Sequence, residues 1–294
     1  MPSAALLYAA AMICTTVASV CGNITLLLVL ALNQGLRTET WALTLSVCLS
    51  DLALGLCTVP FGVHNSLLGV WGGAGGSSGE EGRYTGDGPL CWAAGFSFVL
   101  FQLASLHSLT WATVDKFTEI CFALQYPRLF TKSRSRGSLA LLWLYSLLSA
   151  TLPLLGCGSY RYSAGRFICA PSFPSSGTGL SLLFLGVGVI APILVICSLY
   201  TYLVYIARSQ ALRGTFICNE QHCHYVPAKN YFRSSMVMTT TLACLLVCWL
   251  PYIITCFYEV FTSRESPVWA NALATWLVLL TSALNPWINC MTQK

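Results

Sequence analysis

The sequence predicts an all-α membrane protein: one domain over residues 1–294, a bundle of seven transmembrane helices with the N-terminus outside. Three observations carry this expectation. Of the 294 residues, 56% are hydrophobic and only 9% are charged, against about 25% charged in a typical soluble domain. That much apolar surface exceeds what one soluble core can bury. The apolar residues also fall into seven long runs, at approximately 4–31, 41–69, 91–122, 138–156, 179–206, 234–261 and 268–291. A hydrocarbon layer of about 30 Å needs roughly 20 helical residues, and backbone groups in lipid must be satisfied within the segment, so these runs are helices. Finally, with the N-terminus outside, eleven of the 15 Lys and Arg residues fall on the inner side and four (Arg83, Arg161, Arg166, Arg264) on the outer side, as the positive-inside rule requires.

The links between runs are short except at 70–90, 157–178 and 207–233. Gly72 to Gly88, rich in glycine and acids, reads as a flexible outer linker. The first apolar run is too long for the core of a cleavable signal peptide. The chain stops at Lys294, shortly after the last run, and is expected to lack a C-terminal tail.

Several function classes are excluded early. The net charge of +5 is modest and its basic residues are dispersed in short loops, unlike a nucleic-acid interface. Most of the 15 cysteines lie inside apolar runs, as Cys14, Cys48, Cys57, Cys197, Cys244 and Cys248 do, where cysteine acts as a small hydrophobe. Cys91, Cys157 and Cys169 differ in lying near loops on one side. The sequence "CNEQHCH" (Cys218 to His224) offers metal-type ligands in an inner loop, but not at a recognised spacing. His64 and His107 are isolated and read as structural. No nucleophile–base pair or phosphate loop is evident, so the protein is not expected to be an enzyme.

Polar residues within the spans are the functional candidates. Asp51 is the only acid in the middle of a run, in "LSVCLSDLALGL". A carboxylate there requires a cation, a proton or several hydrogen-bond donors. Asn23, Ser105 and Asn285 are further intramembrane polar groups, and Ser282 lies one short turn from Asn285 on the same face. The competing reading is a hydrogen-bond cluster that only joins helices. The sequon Asn23-Ile24-Thr25 is buried in the first span and so is fortuitous. Prolines at 60, 153, 192, 251 and 286 mark kinks or hinges.

Taken in order, one motif per helix resembles the rhodopsin-like (class A) G protein-coupled receptors. These are Gly22-Asn23, "LSVCLSDL" ending on Asp51, Cys91 with "VDKF", Trp143 with Pro153, Pro192 with Tyr200, "CWLP" (Cys248 to Pro251) and "NPWIN" (Asn285 to Asn289). The resemblance covers nearly the whole chain. It implies a multi-pass plasma-membrane receptor that passes binding of an extracellular ligand to a heterotrimeric G protein. It further implies a disulfide from Cys91 to the second outer loop. Cys169 is the better partner, although spacing alone leaves Cys157 open. It implies no cofactor beyond an allosteric sodium ion, held by Asp51, Ser105, Ser282 and Asn285, since a hard cation takes oxygen ligands. Thr281 stands where many relatives carry asparagine. The activation switch and coupling surface would comprise Asp115, Lys116, Phe117, Tyr200, Trp249, Pro251, Asn285, Pro286 and Asn289.

The chain departs from the family at this switch. Asp115-Lys116-Phe117 replaces Asp-Arg-Tyr, and lysine lacks the planar fork of arginine. Asn289 replaces the tyrosine that the arginine meets in relatives. Leu245 replaces a phenylalanine, Ala123 replaces a proline, and the inner sixth helix lacks the usual acid. Weakened or altered coupling is the expectation.

By the same resemblance, Phe98, Val99, Gln102, Tyr252, Ile253, Cys256 and Thr275 line an outer ligand pocket, with Trp249 as its floor. Phe98 stands where amine receptors carry aspartate. The aromatic, mostly neutral lining points to a non-aminergic small or lipid-like ligand, with Glu259 read as a solvated rim charge. No lysine lies in the seventh span, so retinal has no Schiff-base site. The alternatives are a receptor-like protein that does not couple, serving as decoy or scaffold, and a seven-helix transporter. A transporter would need a second buried ionisable group in mid-membrane, which the spans do not offer.

Overall fold

A computed structural model describes residues 2–33, 41–71, 88–172, 177–213, 215–219, 222–226 and 228–292. Among these, seven helices are long and apolar enough to cross a membrane: Leu6–Leu32, Trp41–Asn65, Pro89–Cys121, Lys132–Leu155, Thr178–Ala211, Arg233–Thr262 and Val268–Cys290. They coincide with the seven runs. The fourth starts earlier than hydropathy indicates, because the Thr131 side chain caps it by accepting from the Arg134 backbone N–H at 3.3 Å. The glycine-rich linker at 72–87 lies outside the described residues.

The prolines act in two ways. Upstream of Pro60 and Pro192 the helix widens into π turns, Leu54–Thr58 and Phe184–Ile190. Proline offers no N–H and crowds the carbonyl one turn back, and a wider turn accommodates both effects. Pro153 lies in a 3-10 turn, Leu152–Leu155, which ends at Gly156 with φ 90°. Pro251 and Pro286 sit inside continuous helices, Ala228–Thr262 and Val268–Thr292.

The core lies where the spans converge, around Met12, Phe98, Leu103, Ile196, Trp249, Val278 and Leu279. Gly22 permits close contact between the first and seventh spans, since a Cβ there would lie 3.2 Å from the Pro286 ring. Ser46 bonds Ser108 at 2.8 Å and accepts from Trp143 Nε1 at 2.9 Å, joining the second, third and fourth spans.

On the outer side, β1 (Tyr160–Ser163) and β2 (Ile168–Pro171) form an antiparallel hairpin. A disulfide joins Cys169 in β2 to Cys91 at the head of the third span; Cys157 is free and exposed. Tyr160 packs on Gly95, where a Cβ would meet its ring at 2.5 Å, and its hydroxyl donates to Ala150 O at 2.7 Å. Burial pushes this phenol's pKa above the ordinary tyrosine value, so it stays a neutral donor. The hairpin turn closes with Arg166 N and Phe167 N both donating to Ser163 O, at 3.1 and 2.9 Å. Phe167 takes the left-handed conformation, φ 56°, and its ring meets Tyr8 at a centroid distance of 5.0 Å. An inner hairpin, β3 (Thr215–Asn219) with β4 (His222–Val226), places Cys218 opposite Cys223. The side chains of "CNEQHCH" lie outside the described residues.

Candidate functional site

The polar residues of the spans converge at mid-bundle. Asp51 is fully buried. Ser105 Oγ donates to its Oδ1 at 2.7 Å, and Asn285 Nδ2 donates to its Oδ2 at 2.8 Å. Second, third and seventh helices therefore meet on one carboxylate. Ser19 donates to Asp51 O at 3.1 Å, and Asn23 Nδ2 donates to Ser19 O at 2.9 Å and Ser282 O at 3.0 Å, which adds the first helix. Asn23 is buried and bonded, as the dismissal of its sequon requires. Ser282 is near in sequence but spends its proton on Leu279 O at 2.7 Å, and Thr281 likewise donates to Val278 O at 2.6 Å. No Lys, Arg or His among the described residues pairs with Asp51. Its two side-chain bonds come from neutral donors, a hydroxyl and an amide. The donor set is rich in oxygen and fits a hard monovalent cation. Beside it, a cavity between the third, sixth and seventh helices is lined by Gln102, Ser105, Leu245, Trp249, Leu284 and Asn285, among others.

Above Trp249, Phe98, Val99, Gln102, Tyr252, Cys256 and Thr275 are buried and Ile253 is half-buried. Tyr252 meets Phe98 and Trp249 edge-on, each at a centroid distance of 6.4 Å. This region is not mostly neutral, and Glu259 is not a solvated rim charge. Arg166, from the hairpin turn, is 3% exposed and reaches in among these residues. Its Nη2 lies 3.0 Å from Glu259 Oε2, and its guanidinium carbon is 5.0 Å from the Tyr252 ring centroid. Asn271 Nδ2 donates to Glu259 Oε1 at 2.9 Å. Sequence reading missed the pair because two loop-proximal charges, 93 positions apart, look like ordinary solvated ones. The signal was weak: an arginine three residues before the cysteine expected to bond the third span.

A family model described as "7 transmembrane receptor (rhodopsin family)" matches residues 22–288. The chain belongs to the rhodopsin family of seven-transmembrane receptors. The mouse protein "Trace amine-associated receptor 7f" is 26% identical over 284 residues, covering 92% of this chain and 75% of its own length. "Histamine H2 receptor" of dog is 26% identical over 274 residues, covering 91% and 71%. The human "Histamine H2 receptor" is 26% identical over 271 residues. This receptor is therefore a multi-pass plasma-membrane protein, not an enzyme, and its family implies an extracellular ligand and a heterotrimeric G protein as partners.

The receptor's inner face bears the departures. Asp115 is buried and accepts from the Tyr126 hydroxyl at 2.7 Å. Lys116 is half-exposed and lies 3.6 Å from Glu119 on its own helix. Phe117 packs on Tyr202 and Phe122. Tyr200 and Leu245 are buried. Asn289 Nδ2 donates to Asn285 O at 3.0 Å. Arg208 Nε donates to Ser235 Oγ at 3.3 Å, joining the fifth and sixth helices.

Proposed function

We propose that this receptor responds to a non-aminergic ligand, either a small neutral molecule or a lipid-like one. The observation that carries this is the identity and surroundings of the charges in the outer pocket. Phe98 is buried in the upper third helix, where a carboxylate would be needed to hold an ammonium group. Glu259 is the buried acid near the pocket, and Arg166 already neutralises it. A soluble cation would have to displace a guanidinium tethered to the same chain. The relatives' names associate trace amines and histamine with those proteins; here the anchor for such a ligand is missing.

In this reading Asp51, Ser105, Ser282 and Asn285 hold an allosteric sodium ion beneath Trp249. Asn285-Pro286 and Pro251 are the hinges through which the pocket acts on the inner face. A transporter is disfavoured because the side chains bonded to Asp51 are a hydroxyl and an amide, and no Lys, Arg or His among the described residues pairs with it.

The test is a G protein activation assay in cells expressing the chain at verified surface density. The ligand panel comprises histamine, aryl-ethylamines, neutral heterocycles and lysolipids. Activation by neutral or lipid compounds, with amines silent, is the expected result. A saturable response to histamine or an aryl-ethylamine would overturn the proposal. The non-coupling reading rests on Lys116, which lies 3.6 Å from Glu119 at the helix surface, and on Asn289.

A further inference from the structure

The hairpin turn carries a charged side chain into a place where no charge belongs unless it is held. Arg166 is 3% exposed, and Glu259 is 7% exposed. Burying either alone would be strongly unfavourable. The surroundings are built around the pair. Glu259 Oε2 takes Arg166 Nη2 at 3.0 Å, and Oε1 takes Asn271 Nδ2 at 2.9 Å and Ser266 N at 3.4 Å. Tyr252 lies beneath the guanidinium at 5.0 Å, and Cys256 Sγ is 3.9 Å from Nη2. A carboxylate oriented by its own donors, facing an aromatic ring, is a recognition site for a planar cation. The hairpin is fixed there by the Cys91–Cys169 disulfide and the Tyr160–Gly95 contact. Gly165 makes room for the turn, since a Cβ there would lie 3.2 Å from Asn271.

We propose that Glu259, Asn271 and Tyr252 form a guanidinium-binding site and that Arg166 is its ligand, supplied in cis by the second outer loop. The site bridges the outer ends of the sixth and seventh helices. Through Tyr252, which meets Trp249 edge-on at 6.4 Å, the occupant touches the floor of the pocket. Soluble cations are thereby excluded from the native receptor, and the vacated site takes a guanidinium or a similar planar cation. The signalling consequence rests on the receptor reading above; the binding site does not.

The experiment uses the full chain, purified in detergent, with thermal melting as the readout. R166A is expected to melt roughly 5–8 °C below the native chain, because it removes the cation paired with the buried Glu259. Millimolar methylguanidinium chloride, compared with sodium chloride at equal ionic strength, should recover part of that loss in R166A. It should recover none in R166A/E259Q and should not raise the native midpoint. Absence of recovery in R166A, equal recovery in the double variant, or a rise in the native chain would each overturn the proposal. Should R166A not fold, hydrogen exchange on E259Q decides the matter. Exchange over residues 163–168 should then accelerate roughly tenfold relative to the native chain, and unchanged exchange would refute the proposal. If methylguanidinium rescue succeeds while histamine or an aryl-ethylamine activates the native receptor, the in-cis ligand stands and the non-aminergic reading fails.

Discussion

Asp51 and Arg166 are both buried charges, yet only one was visible in the sequence. Asp51 stands alone in a long apolar run, so its cost is evident and its partners can be sought among polar residues in other runs. Ser105 and Asn285 were found this way and do bond it. Arg166 lies in a loop and Glu259 near a helix end, where charges are ordinarily solvated; only tertiary packing buries them. Ser282 is buried beside them; its hydroxyl donates its proton to Leu279 O and keeps its oxygen lone pairs for a cation. The proposed sodium site yields a prediction at this scale. Replacing choline with sodium, at constant ionic strength and a tenfold excess over Kd, should stabilise the folded chain by about 1.4 kcal/mol. That is a rise of roughly 2–3 °C in the melting midpoint of a chain this size. In D51N the rise should vanish, because the amide keeps the shape and removes the charge. Equal midpoints in both salts for the native chain would dismiss the ion.

The elements show how much a hydropathy reading can and cannot deliver. Seven spans were legible because each apolar run far exceeds the length of a core helix, and the basic residues divide unequally between sides. The π turns and the outer hairpin were not. A proline marks where the ladder must adjust but not whether it kinks, widens or tightens; Pro60, Pro153 and Pro251 take three different courses. The hairpin, with strands of four residues each, is too short to register as a pattern. Its docking depends on Gly95, a position that looked like any other small residue of the third span. Gly95→Ala should drive a methyl into the Tyr160 ring, displace the hairpin and cost about 1–3 kcal/mol. Gly137→Ala, where nothing lies within 4 Å, should leave stability unchanged or slightly raised. Melting curves of the two variants check this; similar losses in both would show that the third-span contact does not hold the hairpin.

Across the whole molecule, the polar contacts of the outer and inner ends differ in burial. At the outer end, the Arg166–Glu259–Asn271 network joins the second outer loop to the sixth and seventh helices, and it is buried. At mid-bundle, Asp51 joins the second, third and seventh. At the inner end, Lys116 is half-exposed beside Glu119, and such a surface pair contributes at most about 1 kcal/mol. Arg208 and Ser235 add one hydrogen bond between the fifth and sixth helices. Among the described residues the buried ion pair thus lies at the outer end, while the inner end is held by the Tyr126–Asp115 hydrogen bond, the Phe117–Tyr202 contact and these weaker links. Lys116→Arg would restore a planar fork, and Asn289→Tyr an aromatic partner in the seventh helix. A gain of about 1–2 kcal/mol in the coupled state corresponds to roughly 5–30-fold more G protein activation. K116R/N289Y should therefore raise basal nucleotide exchange by about that factor at matched surface density, with each single variant giving less. No rise in the double variant would mean that these two departures do not limit coupling.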